Sequence, residues 1–356
     1  MKALSKLATA LGPAWALLVI VLLFAIADWQ LGSGSLYGDG SFASVRNARV
    51  IMNSAALIAV PAFGMTIIII AGGIDLSAGT ALTLSGTAIA LAFRDHTLPA
   101  DQDGAALWIA VALLAGLAVG VLCGLLNGII ISTTSMVPFI VTLGTMTIFL
   151  GLGQIIASES TVYPVRDHVP DWLRYLCFTG NNPDRYWIGS LKIPSSAWIA
   201  IVLGIAVAIL MRLTVFGRNV VAIGSSPSTA RLCGIRVGLT TVCVYALAGV
   251  FVAMGALLYF ANVKNGNPSD GTGKELEIIA AVVLGGGSLS GGRGSVLGTM
   301  IGALIIKTIG SGCTMLSIPN TYTQIIIGVI IIIAVLIDGF RSGKPEWLFN
   351  QLTAKR

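Results

Sequence analysis

The chain has 356 residues, 56% of them hydrophobic and only 10% charged, against roughly 25% charged in an ordinary soluble domain. A water-soluble core of this size needs a charged shell that this composition, with a mean hydropathy of +0.91, does not supply; lipid is the solvent, and the class is an all-α, polytopic membrane protein. The formal net charge of +6 forms no basic patch interleaved with aromatics, which excludes nucleic acid as a partner.

Apolar runs set the chain's organisation, because crossing about 30 Å of hydrocarbon takes about 20 helical residues. The N-terminus carries Lys2 and Lys6 and enters the run 14–29. It mimics a secretory leader, and Ala25-Ile26-Ala27 mimics a cleavage site, but the run is long for a leader and reads as the first span. Further runs follow at 51–71, 76–93, 107–132, 138–157, 197–213, 240–261, 276–289, 295–310 and 323–337, making ten spans in a single transmembrane domain over residues 1–356. The eighth is short, in the range of a broken or re-entrant segment. With the N-terminus inside, the inner side holds eleven basic and three acidic residues, the outer side ten and twelve. The acid-poor loop 214–238 and the basic C-terminal tail favour this topology, with both termini cytoplasmic.

The longest polar loop, 158–196, falls outside and carries Trp172 and Trp187, either interfacial anchors or a docking surface. Five cysteines without CxxC spacing make no disulfide framework; Cys177, in that polar loop, reads as a free thiol. His96 and His168 lie in polar loops, so no metal cluster is visible, and Lys307 reads as a snorkelling side chain near the outer end of its helix.

Four stretches carry the chemistry. The first, Ala71-Gly72-Gly73-Ile74-Asp75-Leu76-Ser77-Ala78-Gly79-Thr80, separates the second and third runs. Asp75 there either lines a pathway or caps the third helix, with Ser77 as another capping candidate. In the second, Asn127 precedes Pro138-Phe139-Ile140-Val141-Thr142-Leu143-Gly144. Asn127 either bonds a neighbouring helix or a hydroxylated substrate, and Pro138 suits the start of a helix. The third is the inside loop from Phe216 to Val237, with Gly217, Arg218, Ala230, Arg231 and Gly234. A Ser-rich start leads there into a short helix from Pro227 to Cys233, ended by Gly234, of the kind that docks a cytoplasmic protein. The fourth is Gly285-Gly286-Gly287-Ser288-Leu289-Ser290-Gly291-Gly292-Arg293-Gly294. Its glycines mark a helix break on the inner side, as Gly72 and Gly73 do in the first stretch. Aligning Gly72 with Gly285 gives five identities in eight positions, the pattern of an internal repeat with glycine-interrupted segments.

A phosphate-binding loop is absent. The lookalike Pro268-Ser269-Asp270-Gly271-Thr272-Gly273-Lys274-Glu275 has Pro268 for the first glycine and Glu275 for the Mg²⁺-binding hydroxyl.

Together the four stretches resemble the membrane permease subunits of monosaccharide-importing ABC transporters, the ribose-type permease family, from about residue 45 to 338. The sequence departs from the family at Ala78, where valine is usual, and at Ser226, where asparagine is common. The resemblance implies a non-enzymatic importer of a monosaccharide or similar polyol in the bacterial inner membrane. It implies a second copy of the chain, cytoplasmic subunits that bind the ATP (no cofactor on this chain), a periplasmic sugar-binding protein, and a coupling helix within residues 216–237. Asp75, Ser77, Asn127, Thr142 and Ser288 are the candidate pathway residues. A stand-alone secondary transporter or channel is the competing reading; no span carries the acid-rich relay of a proton-driven carrier.

Overall fold

The computed structural model describes residues 2–31, 41–95, 102–165, 168–189 and 191–341. His96 and the tail beyond residue 341 lie outside them. Among the described residues the regular structure is helical, apart from short 3₁₀ turns and one antiparallel bridge between Val162 and Gly266. The helices are α1 (Lys2–Leu31), α2 (Val45–Ile70), α3 (Ala78–Asp95), α4 (Gln102–Thr134), α5 (Pro138–Ile156), α6 (Asp171–Tyr175), α7 (Ser195–Leu213), α8 (Val215–Ser225), α9 (Pro227–Leu232), α10 (Val237–Val263), α11 (Lys274–Leu284), α12 (Val296–Met315) and α13 (Asn320–Arg341).

Seven of the described helices are long and apolar enough to cross a membrane: α1, α2, α4, α5, α7, α10 and α12. The three other runs read from the sequence correspond to α3, α11 and α13. Helix α3 spans 18 residues and buries Thr80, Thr83, Ser85 and Thr87, which dilute its hydropathy. Helix α11 has only 11 residues, about 16 Å at 1.5 Å per residue.

At the centre stands α2, its apolar window 94% buried, with α7, α10, α11 and α12 packed around it. It starts six residues before the apolar run because Ser44 caps it, its Oγ accepting from the Asn47 N–H at 3.2 Å. Lipid tails are as apolar as leucine, so close packing rather than hydrophobic burial must hold such helices together. The interfaces are built accordingly. On α4, Gly120, Gly124 and Gly128 recur every fourth residue and face α10. A Cβ added at Gly120 would lie 2.7 Å from Ala253 Cβ, and one at Gly128 would lie 2.9 Å from Val242 Cα. Likewise Gly64 of α2 abuts Ala248, and Gly255 of α10 abuts Pro61. Outward-facing apolar side chains such as Trp15, Leu114, Ile148 and Ile205 complete the surface on α1, α4, α5 and α7.

The loop between α5 and α7 is built rather than loose. Tyr175, Phe178 and Tyr186 pack edge to face, and the Arg185 guanidinium sits 4.6 Å from the Tyr175 ring centroid. Arg49 of α2 donates to the Gly180 carbonyl at 3.0 Å, while Trp172 and Trp187 remain exposed. Cys177 is half-buried beneath this loop; its Sγ donates to the Leu258 carbonyl, and burial pushes the thiol up to about 12. The thiol is free, as read from the sequence, and partly covered.

Candidate transport site

Helix α2 ends in a left-handed cap. Gly72 has φ +85°, its N–H bonds to the Ile69 carbonyl, and the Gly73 N–H bonds to the Ile68 carbonyl. Helix α11 ends the same way, with Gly286 at φ +87°, its N–H on the Val283 carbonyl and the Gly287 N–H on the Val282 carbonyl. This pair of bonds is the Schellman stop, which needs an αL residue and so favours glycine. The register differs by one from the sequence alignment: the structural partner of Gly72 is Gly286, not Gly285. Gly285 is instead the close-packing position, pressed against the Gly298 backbone of α12. The run read as a span over 276–289 thus stops as a helix at Leu284.

Both breaks meet at one point. The Gly292 N–H donates to the terminal α2 carbonyl, Ile70 O, at 2.8 Å. A Cβ at Gly291 would lie 3.0 Å from Gly72 Cα and 2.6 Å from Gly224 O. Gly224 belongs to the last turn of α8, and a Cβ there would run into the Ile70 carbonyl. The loop singled out in the sequence therefore contains two helices, and the first was not foreseen. Thr214 caps α8, accepting from the Gly217 N–H at 3.2 Å, and α8 buries Gly217, Val220 and Ile223. Ser226 caps α9, accepting from the Thr229 N–H at 3.3 Å. The helix ends at Leu232 with Cys233 as its C-cap, followed by Gly234 at φ +81°. Ala230 is buried, whereas Arg218, Arg231 and Arg236 are exposed, as is Leu232 at 89%.

After Gly73 the chain turns back into the protein. Asp75 Oδ1 accepts from the Ser77 N–H at 2.8 Å and from Ser77 Oγ at 2.6 Å. Ser77 Oγ accepts from Asn127 Nδ2 at 2.8 Å, and Asn127 Oδ1 accepts from Thr145 Oγ1 at 2.7 Å. Thr142 Oγ1 reaches the Ile74 carbonyl at 3.2 Å. The structure thus joins Asp75, Ser77, Asn127 and Thr142 in one chain of bonds tying α3 to α4 and α5. Ser288 lies apart, in the second break, where its N–H donates to the Arg293 carbonyl. All five are at most 5% exposed.

The accessible space lies elsewhere. Leaving α10, residues 264–273 run down the side of α3. Gly266 packs on Thr87 and Ala90, the Pro268 carbonyl accepts from Thr83 Oγ1 at 3.0 Å, and Glu275 reaches Gly79. From Ala90 to Gly79 is about 16 Å of helix. The segment preceding α11 thus lies along α3, with a 3₁₀ turn at Pro268–Gly271 whose Pro268 and Gly271 are buried. Beside the start of α11 opens a cavity of about 1030 Å³ between α2, α11, α12 and α13. Its polar lining includes Asn47, Ser54, Lys274, Glu277, Lys307 and Ser311.

Lys307 Nζ bonds Glu277 Oε2 at 2.6 Å, with the two side chains 24% and 29% exposed. Lys307 does not reach along its helix to an outer boundary; it faces α11. Ser311 Oγ donates to Asn47 Oδ1 at 2.6 Å. None of the five sequence-derived pathway residues lines this cavity. The missed signal was ionisable residues inside apolar runs, Glu277 and Lys307, which in membrane helices mark solute pathways by default.

The family model described as "Branched-chain amino acid transport system / permease component" matches residues 47–335. The ribose import permease protein RbsC of Bacillus subtilis is 33% identical over 335 residues, 93% of this chain and 93% of its own length. Galactose/methyl galactoside import permease protein MglC of Escherichia coli is 32% identical, covering 92% of this chain and 94% of its own. Fructose import permease protein FrcC of Rhizobium meliloti is 31% identical, covering 92% and 85%. No solved structure matches the chain.

Proposed function

Since the chain belongs to the permease-component family of branched-chain amino acid transport systems, and is thereby a multi-pass transporter subunit rather than an enzyme, we propose that it carries a monosaccharide or similar polyol inward across the bacterial inner membrane. The family description names amino acids, but the relatives aligned over more than nine-tenths of this chain are named for ribose, galactose and fructose. Full-length likeness outweighs the family label here.

The contact of α8 with both helix breaks carries the reading. Exposed Arg218, Arg231, Arg236 and Leu232 offer the ATP-binding partner a seat on α8 and α9. Any displacement of α8 acts at once on the ends of α2 and α11 through Gly224, Gly72 and Gly291. These are the elements bounding the cavity, so access to it alternates as the partner grips one arrangement better than the other; a ligand shifts two states only by its differential affinity. The transporter contains two copies of this chain, with lipid on the exposed faces and a substrate-binding protein on the side of the Tyr175–Tyr186 loop. Both termini are cytoplasmic, and α3, the α11 segment and α13 complete ten crossings. Asp75, Ser77, Asn127 and Thr142 hold the inner break in place and reach solute only when that break opens, as does Ser288 in the second break.

The test is uptake into proteoliposomes containing the full complex. Arg218→Glu and Gly234→Val should assemble and hydrolyse ATP while uptake falls roughly tenfold, about 1.4 kcal/mol of lost coupling. Unchanged uptake defeats the assignment of α8 and α9. ATP-independent uptake by the chain alone defeats the importer reading.

A further inference from the structure

The Glu277–Lys307 pair joins α11 to α12, yet those helices hardly need it. Gly285 packs backbone to backbone on Gly298, and Gly302 packs on the Ala281 carbonyl, which already fixes the antiparallel hairpin. The pair instead sits on the wall of the cavity, incompletely buried, where an ionisable residue is costly and marks function. A carboxylate offers about four lone-pair sites and an ammonium three donors. Their mutual bond uses one of each, leaving acceptors and donors side by side. Around them Ser54, Ser311, Thr314, Thr323 and Gln324 contribute hydroxyl and amide groups.

We propose that this pair is the cavity's sugar-binding point, with Glu277 accepting from one hydroxyl of a vicinal diol and Lys307 donating to its neighbour. The inference rests on the monosaccharide-importer reading above and assigns the binding residues that reading lacks. The pair is neutral in itself, Arg46 and Lys274 also line the cavity, and it is the acceptor and donor standing side by side that fit adjacent hydroxyls of a polyhydroxylated solute.

The test compares Glu277→Gln, Lys307→Met and the exchange Glu277→Lys/Lys307→Glu in the reconstituted full complex, with radiolabelled D-ribose, D-galactose and D-fructose as probes. Both single variants should lose at least about tenfold in uptake of whichever sugar the wild type carries. The exchange should keep wild-type thermal stability, because the ion pair re-forms, but should not support wild-type uptake, because donor and acceptor have swapped places on the sugar. Recovery of uptake in the exchange variant, or wild-type uptake by Glu277→Gln, reduces the pair to a tether and overturns the proposal. A wild-type complex that takes up none of the three sugars overturns the monosaccharide reading itself, and this proposal with it.

Discussion

The two glycine-rich breaks end their helices alike and restart them differently. At Gly72 and at Gly286 the same pair of backbone bonds closes the preceding helix. From there the first break spends residues 74–77 on a buried polar chain, in which Asp75 holds the start of α3 through Ser77 and Ser77 is held by Asn127. The second break is longer and is clipped to a neighbour, its Gly292 N–H on the last carbonyl of α2, before Ser295 caps α12 by accepting from Gly298. The shared part is generic to helices that stop at glycine, so likeness there is no sign of common descent. What differs decides what each break can do: the first is anchored to α4 and α5, the second to α2 and α8.

That contrast can be broken in three ways, measured as thermal stability of the purified chain in detergent. The largest effect belongs to Asp75→Ala, which strips the acceptor from a buried N–H and a buried hydroxyl and should cost about 2–3 kcal/mol. A change indistinguishable from wild type would show that the polar chain does not anchor the first break. Next come Gly72→Ala and Gly286→Ala. Each puts a side chain on a residue at positive φ, with nothing closer to the new Cβ than 3.7 Å at Gly72 and nothing within 4 Å at Gly286. Both should lose about 1–2 kcal/mol, and by equal amounts; unequal losses would mean that the two stops are not equivalent. Smallest is Ser295→Ala, expected to cost about 1 kcal/mol as the loss of an ordinary helix cap. A loss matching that of Asp75→Ala would erase the difference between the two restarts.

Hydropathy made the long helices legible because each run is a transfer energy summed along the chain. Local chemistry did the same for the start of α5 at Pro138 and for α9 between Ser226 and Gly234. The rest needed the third dimension. Residues 264–273 are polar in sequence, and nothing local says that they descend beside α3 rather than stay in solvent. Glu277 and Lys307 stand 30 residues apart, and only the α11–α12 hairpin turns a supposed surface lysine into half of an ion pair. The glycine register failed for a related reason. Identity counting paired Gly72 with Gly285, whereas the dihedrals that make glycine necessary pair it with Gly286. Helix α8 was not foreseen inside its loop; its Gly217 and Gly224 serve close approach to Met211 and Ile70, contacts that no local pattern shows.

Mutual neutralisation of Glu277 and Lys307 also bears on the electrical work of transport. A single charge moved through the full membrane potential exchanges about 2.3 kcal/mol per 100 mV with the field. A carboxylate and an ammonium 2.6 Å apart that shift together carry no net charge. Moving the pair as a unit therefore exchanges no electrical work with the membrane field.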